Sequence, residues 1–227
     1  MPSGTAIVLL SGGLDSATVL YMARDQGFSL HALSFDYQQR HRIELDRAAR
    51  LAEHCNAKHT TVRIDLGVFS GSALTDPAIP VPRTHGLGEG IPITYVPARN
   101  ILFLSYGLAL AESNGVHDVF LGVNATDYSG YPDCRPEFIR AYESMANLGL
   151  KSAVERQPMR IHAPLMHMTK ASIIRAGTAL GVDYGLTSSC YDPDSTGRPC
   201  GQCDSCGLRA RGFAEAGLID PLRSENN

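Results

Sequence analysis

A short run of small and polar residues near the start of the chain has the residue types needed to hold a phosphate. Residues 11–16 read Ser-Gly-Gly-Leu-Asp-Ser and lie between an apolar stretch and a stretch rich in helix formers. This order predicts a strand, a glycine turn and a helix, so that backbone N–H groups and a helix N-terminus converge on one point. Gly12 and Gly13 carry no side chain where a phosphate would press on the backbone, and Ser11 and Ser16 add hydroxyl donors. A glycine pair after a strand is also common as a plain turn, so the pair alone leaves both interpretations open.

Four thiols near the end of the chain have the spacing of a metal site. They are Cys190, Cys200, Cys203 and Cys206. Thiols two residues apart can wrap one ion in a tight turn, and four sulfurs complete a tetrahedral structural zinc site with no open position. An iron–sulfur cluster is the alternative, because Cys-x2-Cys-x2-Cys also occurs in ferredoxin-like sequences. We expect zinc, and we expect the metal to supply much of the order of this segment.

A third group of polar side chains follows an apolar run at 118–123. The carboxylates and the guanidinium between residues 127 and 137, together with two tyrosines, suit a pocket that stacks on a planar heterocycle and hydrogen-bonds its edge. These candidates are Asp127, Tyr128, Tyr131, Asp133, Arg135 and Glu137. Exposed turn chemistry is the alternative interpretation of the same pattern.

Three further residues could face a phosphate. Arg99 and Asn100 precede an apolar helical stretch, and Lys170 opens a later helix. A capping role for the first two residues and a surface position for the lysine are the competing interpretations.

The elements that must position these groups follow from hydrophobic periodicity. Strands are predicted over 6–10, 30–35, 60–64, 118–123 and 159–163, and helices over 17–26, 43–55, 101–111 and 169–180, with another from Pro136. The helix at 101–111 is apolar on all sides, so we expect it to be buried. The helix from Pro136 is expected to present Phe138, Tyr142 and Met145 to the core. Residues 66–98 hold five Pro and five Gly with little periodicity, which favours a lid over the site.

Composition limits the class of protein. The chain has 227 residues and a net charge of −3 without a basic block, so a nucleic-acid footprint is not expected. It has no run of 18 apolar residues that would predict a membrane span. It enters a strand directly, without the pattern of a signal peptide, so a cytoplasmic location is expected.

The hexapeptide at 11–16 lacks the lysine of a P-loop and the third glycine of the dinucleotide fingerprint. It resembles instead the pyrophosphate (PP) loop of the N-type ATP pyrophosphatases. Nearly the whole chain is similar to the 7-cyano-7-deazaguanine synthase family. Besides this loop, the similarity covers residues 122–138, Thr187-Ser188-Ser189-Cys190, the cysteines at 200, 203 and 206, and Asp220-Pro221. The resemblance implies a doubly wound, mostly parallel α/β fold, with an ATP pyrophosphatase domain at 1–186 and a zinc-binding region at 187–227.

The resemblance also implies an activity. The substrates would be 7-carboxy-7-deazaguanine, ammonia and ATP with Mg²⁺, and the product would be the nitrile preQ0, an intermediate of queuosine synthesis, formed with release of AMP and diphosphate. A homodimer is implied, with no nucleic-acid partner. Asp15, Ser16 and Lys170 are the expected catalytic residues. The expected ATP-binding residues are Leu10, Ser11, Gly12, Gly13, Leu14, Asp15, Ser16, Ala17, Thr18, Val19, Leu20, Arg99 and Asn100, and the six polar residues between 127 and 137 are expected to bind the heterocycle.

Two rival functions stay open on the sequence. One is another PP-loop enzyme that modifies a tRNA base. A thiolation enzyme would need a pair of free catalytic thiols near the loop, and only Cys55 and Cys134 lie outside the cysteine cluster. The other rival is a zinc-containing regulatory module, against which the net charge of −3 and the single metal site argue.

Overall fold

The computed structural model describes residues 4–39, 42–66, 68–69, 71–83, 90–126 and 130–222. Within these ranges the chain alternates strands and helices. The strands are β1 (Thr5–Leu9), β2 (Ser29–Asp36), β3 (Lys58–Arg63), β4 (Asp118–Phe120) and β5 (Arg160–His162). The helices are α1 (Leu14–Asp25), α2 (Ile43–His54), α3 (Arg99–Ser113), α4 (Pro136–Gly149), α5 (Lys151–Val154), α6 (Lys170–Ala179) and α7 (Asp204–Ala216).

The five strands form one sheet in the order β3-β2-β1-β4-β5, and every pairing is parallel. Consecutive strands run outward from β1 to β3 and then, after a crossover, outward from β4 to β5. The strand order therefore reverses between β1 and β4. In open parallel sheets ligands bind in the crevice at such a switch point, beyond the carboxyl ends of the strands.

Helices cover both faces of the sheet. One apolar cluster joins Val8 of β1 to residues of α1, α2, α6 and α7, including Phe213. The other joins Ile7 of β1 to residues of α3 and α4, including Leu104 and Tyr142. Because neighbouring residues of a strand point to opposite faces, β1 contributes to both clusters. This confirms the doubly wound α/β fold.

Two details of the helix packing differ from the sequence-based expectations. Only one stripe of α3 is buried, at Leu104, Gly107, Leu108 and Ala111, whereas Ile101 and Tyr106 are exposed. A helix that lies on one face of a sheet buries a single stripe, whatever the composition of its outer face. In α4 the core residues are Ile139, Tyr142 and Ala146, and Met145 is exposed, so the predicted place of Met145 in the core is wrong.

The described parts of residues 66–98 contain no helix or strand, but they are packed. Leu66, Leu74 and Val96 join the core on the α3 side of the sheet. Ala73 and Val81 pack against the cysteines of the C-terminal region. The role of this segment as a lid stays a prediction. No helix in the described ranges has the length and apolarity needed to cross a membrane.

Candidate active site

The loop between β1 and α1 is held in shape by its own serines. The Ser16 hydroxyl accepts the Ser11 backbone N–H at 3.2 Å and lies 3.0 Å from the Ser11 hydroxyl. The Ser11 hydroxyl also accepts the Gly13 N–H at 3.3 Å. Gly13 is the N-cap of α1 and brings no capping side chain. Among the described contacts, the backbone N–H groups of Asp15 and Ser16 in the first turn of α1 have no protein acceptor, and such N–H groups at a helix N-terminus suit an anion.

Two neighbouring segments press directly on this loop. Gly12 has a φ of +85°, and a Cβ there would overlap the backbone carbonyl oxygen of Glu44 in α2. A Cβ on Gly122, just beyond β4, would lie 3.0 Å from the Ser16 backbone nitrogen. Glycine at both positions lets α2 and the end of β4 approach the loop from either side.

The third neighbour comes from the C-terminal region. The Ser188 backbone N–H donates to the Gly12 carbonyl at 2.9 Å, and the Ser189 hydroxyl accepts the Leu14 N–H at 3.4 Å. Cys190, the first residue of the cysteine cluster, follows directly. The cluster therefore adjoins one wall of the site.

These elements enclose a cavity of about 320 Å³ at the switch point of the sheet. One wall is the loop itself, from Leu10 to Ser16 apart from Gly12. The aromatic lining consists of Phe35, Tyr37, Phe103, Tyr131 and Tyr191, and the polar and charged lining beyond the loop includes Gln39, Glu44, Arg99, Asn100, Asn124, Lys170, Ser188, Ser189, Ser205 and Arg209. The loop between β1 and α1 and a planar aromatic wall thus face the same space.

Lys170 is anchored at the loop. Its Nζ lies 2.8 Å and 2.9 Å from the two carboxylate oxygens of Asp15. Thr169 caps α6 by accepting the Ser172 N–H at 3.2 Å, and this fixes the backbone from which Lys170 extends. The pair places one positive and one negative group beside the N-terminus of α1, where a polyphosphate and its metal ion would need both.

Two charged groups on the other side of the cavity have displaced pKa values. Burial raises the pKa of Glu44 to about 7, although the positive charge of Arg99 opposes the shift. Burial acts to lower the pKa of Arg99, but Tyr37, Tyr131 and Asp133 outweigh it and raise that pKa above its ordinary value. Arg99 therefore stays protonated and offers a fixed positive charge to an anionic ligand.

Asp133 is buried and is used within the protein. Its Oδ2 accepts the backbone N–H of Asn100 at 3.0 Å, in the first turn of α3. The Asn100 side chain in turn reaches the Asp133 carbonyl at 3.4 Å and the Cys134 sulfur at 3.3 Å. Asp133 thus fixes the start of α3, the helix that carries Arg99.

The remaining residues expected at the site are only partly brought together. Tyr131 lines the cavity, and its hydroxyl lies 2.8 Å from that of Thr94. Arg135 and Glu137 are exposed at the start of α4 and are not part of the cavity lining. Asp127 and Tyr128 lie outside the described residues.

Four residues expected to bind ATP lie in the core behind the loop. Ala17, Thr18, Val19 and Leu20 are each 0 % exposed. The Thr18 hydroxyl, for example, lies 2.9 Å from that of Tyr184 rather than in the cavity. These residues support the loop from inside, because α1 is covered on more than one side: it packs on β1 and β2 of the sheet and also against α6.

Sequence reasoning missed several lining residues. Tyr37, Gln39 and Glu44 line the cavity, but none of them is among the site residues expected from the sequence. Hydrophobic periodicity does not indicate Glu44, because it shows only which face of α2 packs on the core. The opposite face of the helix can still border a cavity.

The cysteine cluster has the shape that a tetrahedral metal site requires. The sulfurs of Cys190, Cys200, Cys203 and Cys206 all lie within 4.8 Å of one another, compared with a separation of ~3.8 Å in a tetrahedron of zinc–sulfur bonds of ~2.3 Å. Backbone N–H groups point at three of these sulfurs, for example from Cys200 to the Cys190 sulfur at 3.2 Å. Such donors stabilise thiolates. The residues therefore fit a structural metal ion.

With this geometry established, comparison with known proteins shows the family. The sequence profile described as "Queuosine biosynthesis protein QueC" matches residues 5–217. The chain belongs to the QueC family. A 7-cyano-7-deazaguanine synthase of Frankia casuarinae is 62 % identical over 222 residues, 97 % of this chain and 94 % of that protein. One of Thiobacillus denitrificans is 62 % identical over 219 residues, 96 % of this chain and 97 % of that protein.

A solved structure supports the fold of this QueC family member. The NMN synthetase of Francisella tularensis superposes with a TM-score of 0.52 at 20 % identity, covering 99 % of this chain and 82 % of that one. At this identity the likeness concerns the fold alone.

Proposed function

We propose that the protein is an ATP-dependent ligase that converts 7-carboxy-7-deazaguanine and ammonia into 7-cyano-7-deazaguanine. Curated relatives that bear this activity in their names match the chain at 57–62 % identity over nearly its full length. The observation that carries the proposal is the shared cavity: the loop with the helix N–H groups of Asp15 and Ser16, the cation of Lys170 and an aromatic wall all border one space. That combination suits a polyphosphate and a planar heterocycle side by side.

The chemistry explains why such a site is needed. A carboxylate is a poor electrophile because its leaving group would be oxide. In the proposed reaction a substrate oxygen forms a bond to the α phosphorus of ATP, the bond to the β-phosphate oxygen breaks, and diphosphate leaves. Ammonia then displaces AMP from the acyl adenylate, losing a proton, and gives the amide.

A second ATP repeats the activation on the amide oxygen. Loss of AMP and of the two amide protons then leaves the nitrile. Both oxygens of the original acid depart in AMP, so the balance requires neither water nor a redox partner.

The residues of this chain are proposed to stabilise the diphosphate and to place the acid. The N–H groups of the loop and the Ser16 hydroxyl face the position of the β and γ phosphates, and Lys170 adds positive charge there. Mg²⁺, when bound with ATP, supplies further neutralisation of the phosphate charge, and Asp15 is the candidate carboxylate for it. Arg99 and Asn100, at the start of α3, are proposed to hold the anionic end of the reactants.

The C-terminal region, residues 187–227, is proposed to act as a metal-organised wall of this site rather than as a catalytic centre. Zinc is the proposed ion, since four sulfurs leave no open coordination position. Exposed apolar residues on α3 and α4, namely Ile101, Tyr106, Met145 and Leu148, support the proposed homodimer. An enzyme with these substrates is proposed to act in the cytoplasm, without a nucleic-acid partner.

Product analysis tests the proposal. The protein is incubated with 7-carboxy-7-deazaguanine, ammonium and MgATP, and the nucleotides and the heterocycle are separated. We expect two molecules of AMP and two of diphosphate for each molecule of nitrile formed. Formation of ADP in place of AMP, or the absence of a nitrile, would overturn it.

Lys170→Met is the matched test of the loop chemistry. Removing the cation that faces the diphosphate should lower the rate of diphosphate release by about 100-fold or more. Lys151→Met is the control, because Lys151 is an exposed lysine whose ion pair with Glu155 is a 3.6 Å surface contact. Equal rates in the two variants would remove Lys170 from the mechanism.

A further inference from the structure

Glu44 is the acidic residue of the cavity for which neither the fold nor the activation chemistry has a use. It lies in the first turn of α2 and lines the cavity. Its backbone is fixed, because the Glu44 carbonyl oxygen packs against Gly12 of the loop. Among the described residues, its carboxylate makes no hydrogen bond and no ion pair within 4 Å. The side chain is thus held at the cavity without a protein partner.

The surroundings of this carboxylate disfavour its charged form. Burial outweighs the attraction of Arg99 and raises the pKa of Glu44 to about 7. A carboxylate that served the fold would be expected to have hydrogen-bond donors of its own, since an unpaired charge costs free energy even where it is only partly buried. Here the donors are missing on the cavity side, which is where a ligand would supply them.

The adjacent wall is suited to a flat ring. Phe35 and Phe103 stack with ring centroids 4.0 Å apart and planes 5° from parallel, and Tyr37 lies 5.5 Å from Phe103. All three line the same cavity as Glu44. A planar heterocycle against this wall would bring its edge, rather than its face, toward polar side chains.

The type of edge follows from the chemistry of the acceptor. A carboxylate offers two acceptor oxygens and, when ionised, no donor. The guanine-type edge of a 7-deazaguanine presents two adjacent donors, N1–H and the 2-amino group, which match those oxygens. The adenine edge of ATP presents a donor beside an acceptor, so the carboxylate would repel its N1.

We propose that Glu44 is the specificity-determining residue for the 7-deazaguanine ring, accepting hydrogen bonds from its N1–H and its 2-amino group. This inference rests on the proposed function and deepens it. Asp133, which the sequence also suggested for the heterocycle, accepts the Asn100 N–H with its buried carboxylate and is not among the residues that line the cavity.

The test compares two substrates in two variants. The first substrate is 7-carboxy-7-deazaguanine, and the second is the same molecule without the 2-amino group, 7-carboxy-7-deazahypoxanthine. The variants are Glu44→Gln and Glu53→Gln. Glu53 lies on the same helix but is exposed, so it controls for removing a negative charge from α2.

In the wild type and in Glu53→Gln, we expect kcat/KM to favour the 2-amino substrate by about 100-fold, because loss of the 2-amino group leaves one oxygen of the partly buried Glu44 carboxylate unpaired. In Glu44→Gln this preference should fall at least about tenfold, mainly through a higher KM for the heterocycle. The KM values for ATP and ammonium should stay within about twofold of wild type, since the substitution does not change the binding of those substrates.

Three results would overturn the inference: an undiminished preference in Glu44→Gln, a rise in the KM for ATP instead, or a rise in the KM for ammonium instead. If Glu44→Gln does not fold, Glu44→Asp supplies the test, because the charge is kept and only the reach is shortened. A preference in Glu44→Asp equal to that of the wild type then counts against the inference. Failure of the wild type to make any nitrile would instead overturn the proposed function.

Discussion

Gly12 shows how one residue can carry two structural demands. Its φ of +85° is a conformation that side chains with a Cβ rarely adopt, and the space where a Cβ would stand is filled by the Glu44 carbonyl oxygen. Its own carbonyl accepts the Ser188 N–H at 2.9 Å. The loop, α2 and the C-terminal region therefore meet at this position.

Gly12→Ala should consequently lower the free energy of unfolding by more than about 2 kcal/mol, as the left-handed conformation and the overlap with α2 add together. Denaturant unfolding measures this change. Gly115→Ala is the control, because Gly115 has a φ of +63° with nothing within 4 Å of the missing Cβ. It should cost about 1 kcal/mol, from the backbone conformation alone. Equal losses at the two positions would show that α2 does not press on the loop.

The start of α3 depends on an acceptor from elsewhere in the chain. Its N-cap, Ala98, has a φ of 55° and no side chain that could accept a hydrogen bond. The Asp133 carboxylate takes this role through the Asn100 N–H. A negative charge at a helix N-terminus is also favoured by the helix dipole.

Asp133→Ala should therefore reduce the free energy of unfolding by about 1–2 kcal/mol, as expected for loss of a cap. Thermal or denaturant unfolding gives the value. Glu137→Ala is the matched control, since Glu137 is exposed in the first turn of α4 and should cost less than about 1 kcal/mol. A stability close to wild type in Asp133→Ala would instead favour a role of this carboxylate in binding alone.

The elements were more predictable than the site, for a physical reason. The strand–loop–helix unit at the start of the chain and the Thr169 cap of α6 follow from local chemistry, which a sequence displays directly. Glu44 and Asp133 gain their roles from contacts across the fold: Glu44 borders the cavity because of how α2 packs on Gly12, and Asp133 caps a helix that begins 34 residues earlier. Periodicity reports which side of a helix is apolar, but not where a cavity opens.

At the scale of the whole molecule, the cysteine cluster and the loop between β1 and α1 form one continuous structure. Arg209 of α7 is buried and donates to Asp220, to the Thr187 hydroxyl and to the Tyr184 carbonyl. Thr187 leads into Ser188 and Ser189, which hydrogen-bond the loop, and then into Cys190 of the cluster. The contacts between α7 and α6 continue this connection to Lys170.

Loss of the proposed metal should therefore impair nucleotide binding, because Cys190 of the cluster lines the same cavity as the loop. Without the ion, four clustered thiols no longer fix the segment that leads back to Ser188, and the wall beside Gly12 loses its support.

We expect about one zinc per chain by elemental analysis. In Cys203→Ser, which removes a fully buried ligand, the Kd for ATP should rise at least about tenfold, measured by calorimetry. Cys55→Ser is the control, as Cys55 is a buried thiol outside the cluster, and it should keep both the metal and the affinity. A metal-free Cys203→Ser protein that still binds ATP as the wild type does would show that the cluster and the loop are independent.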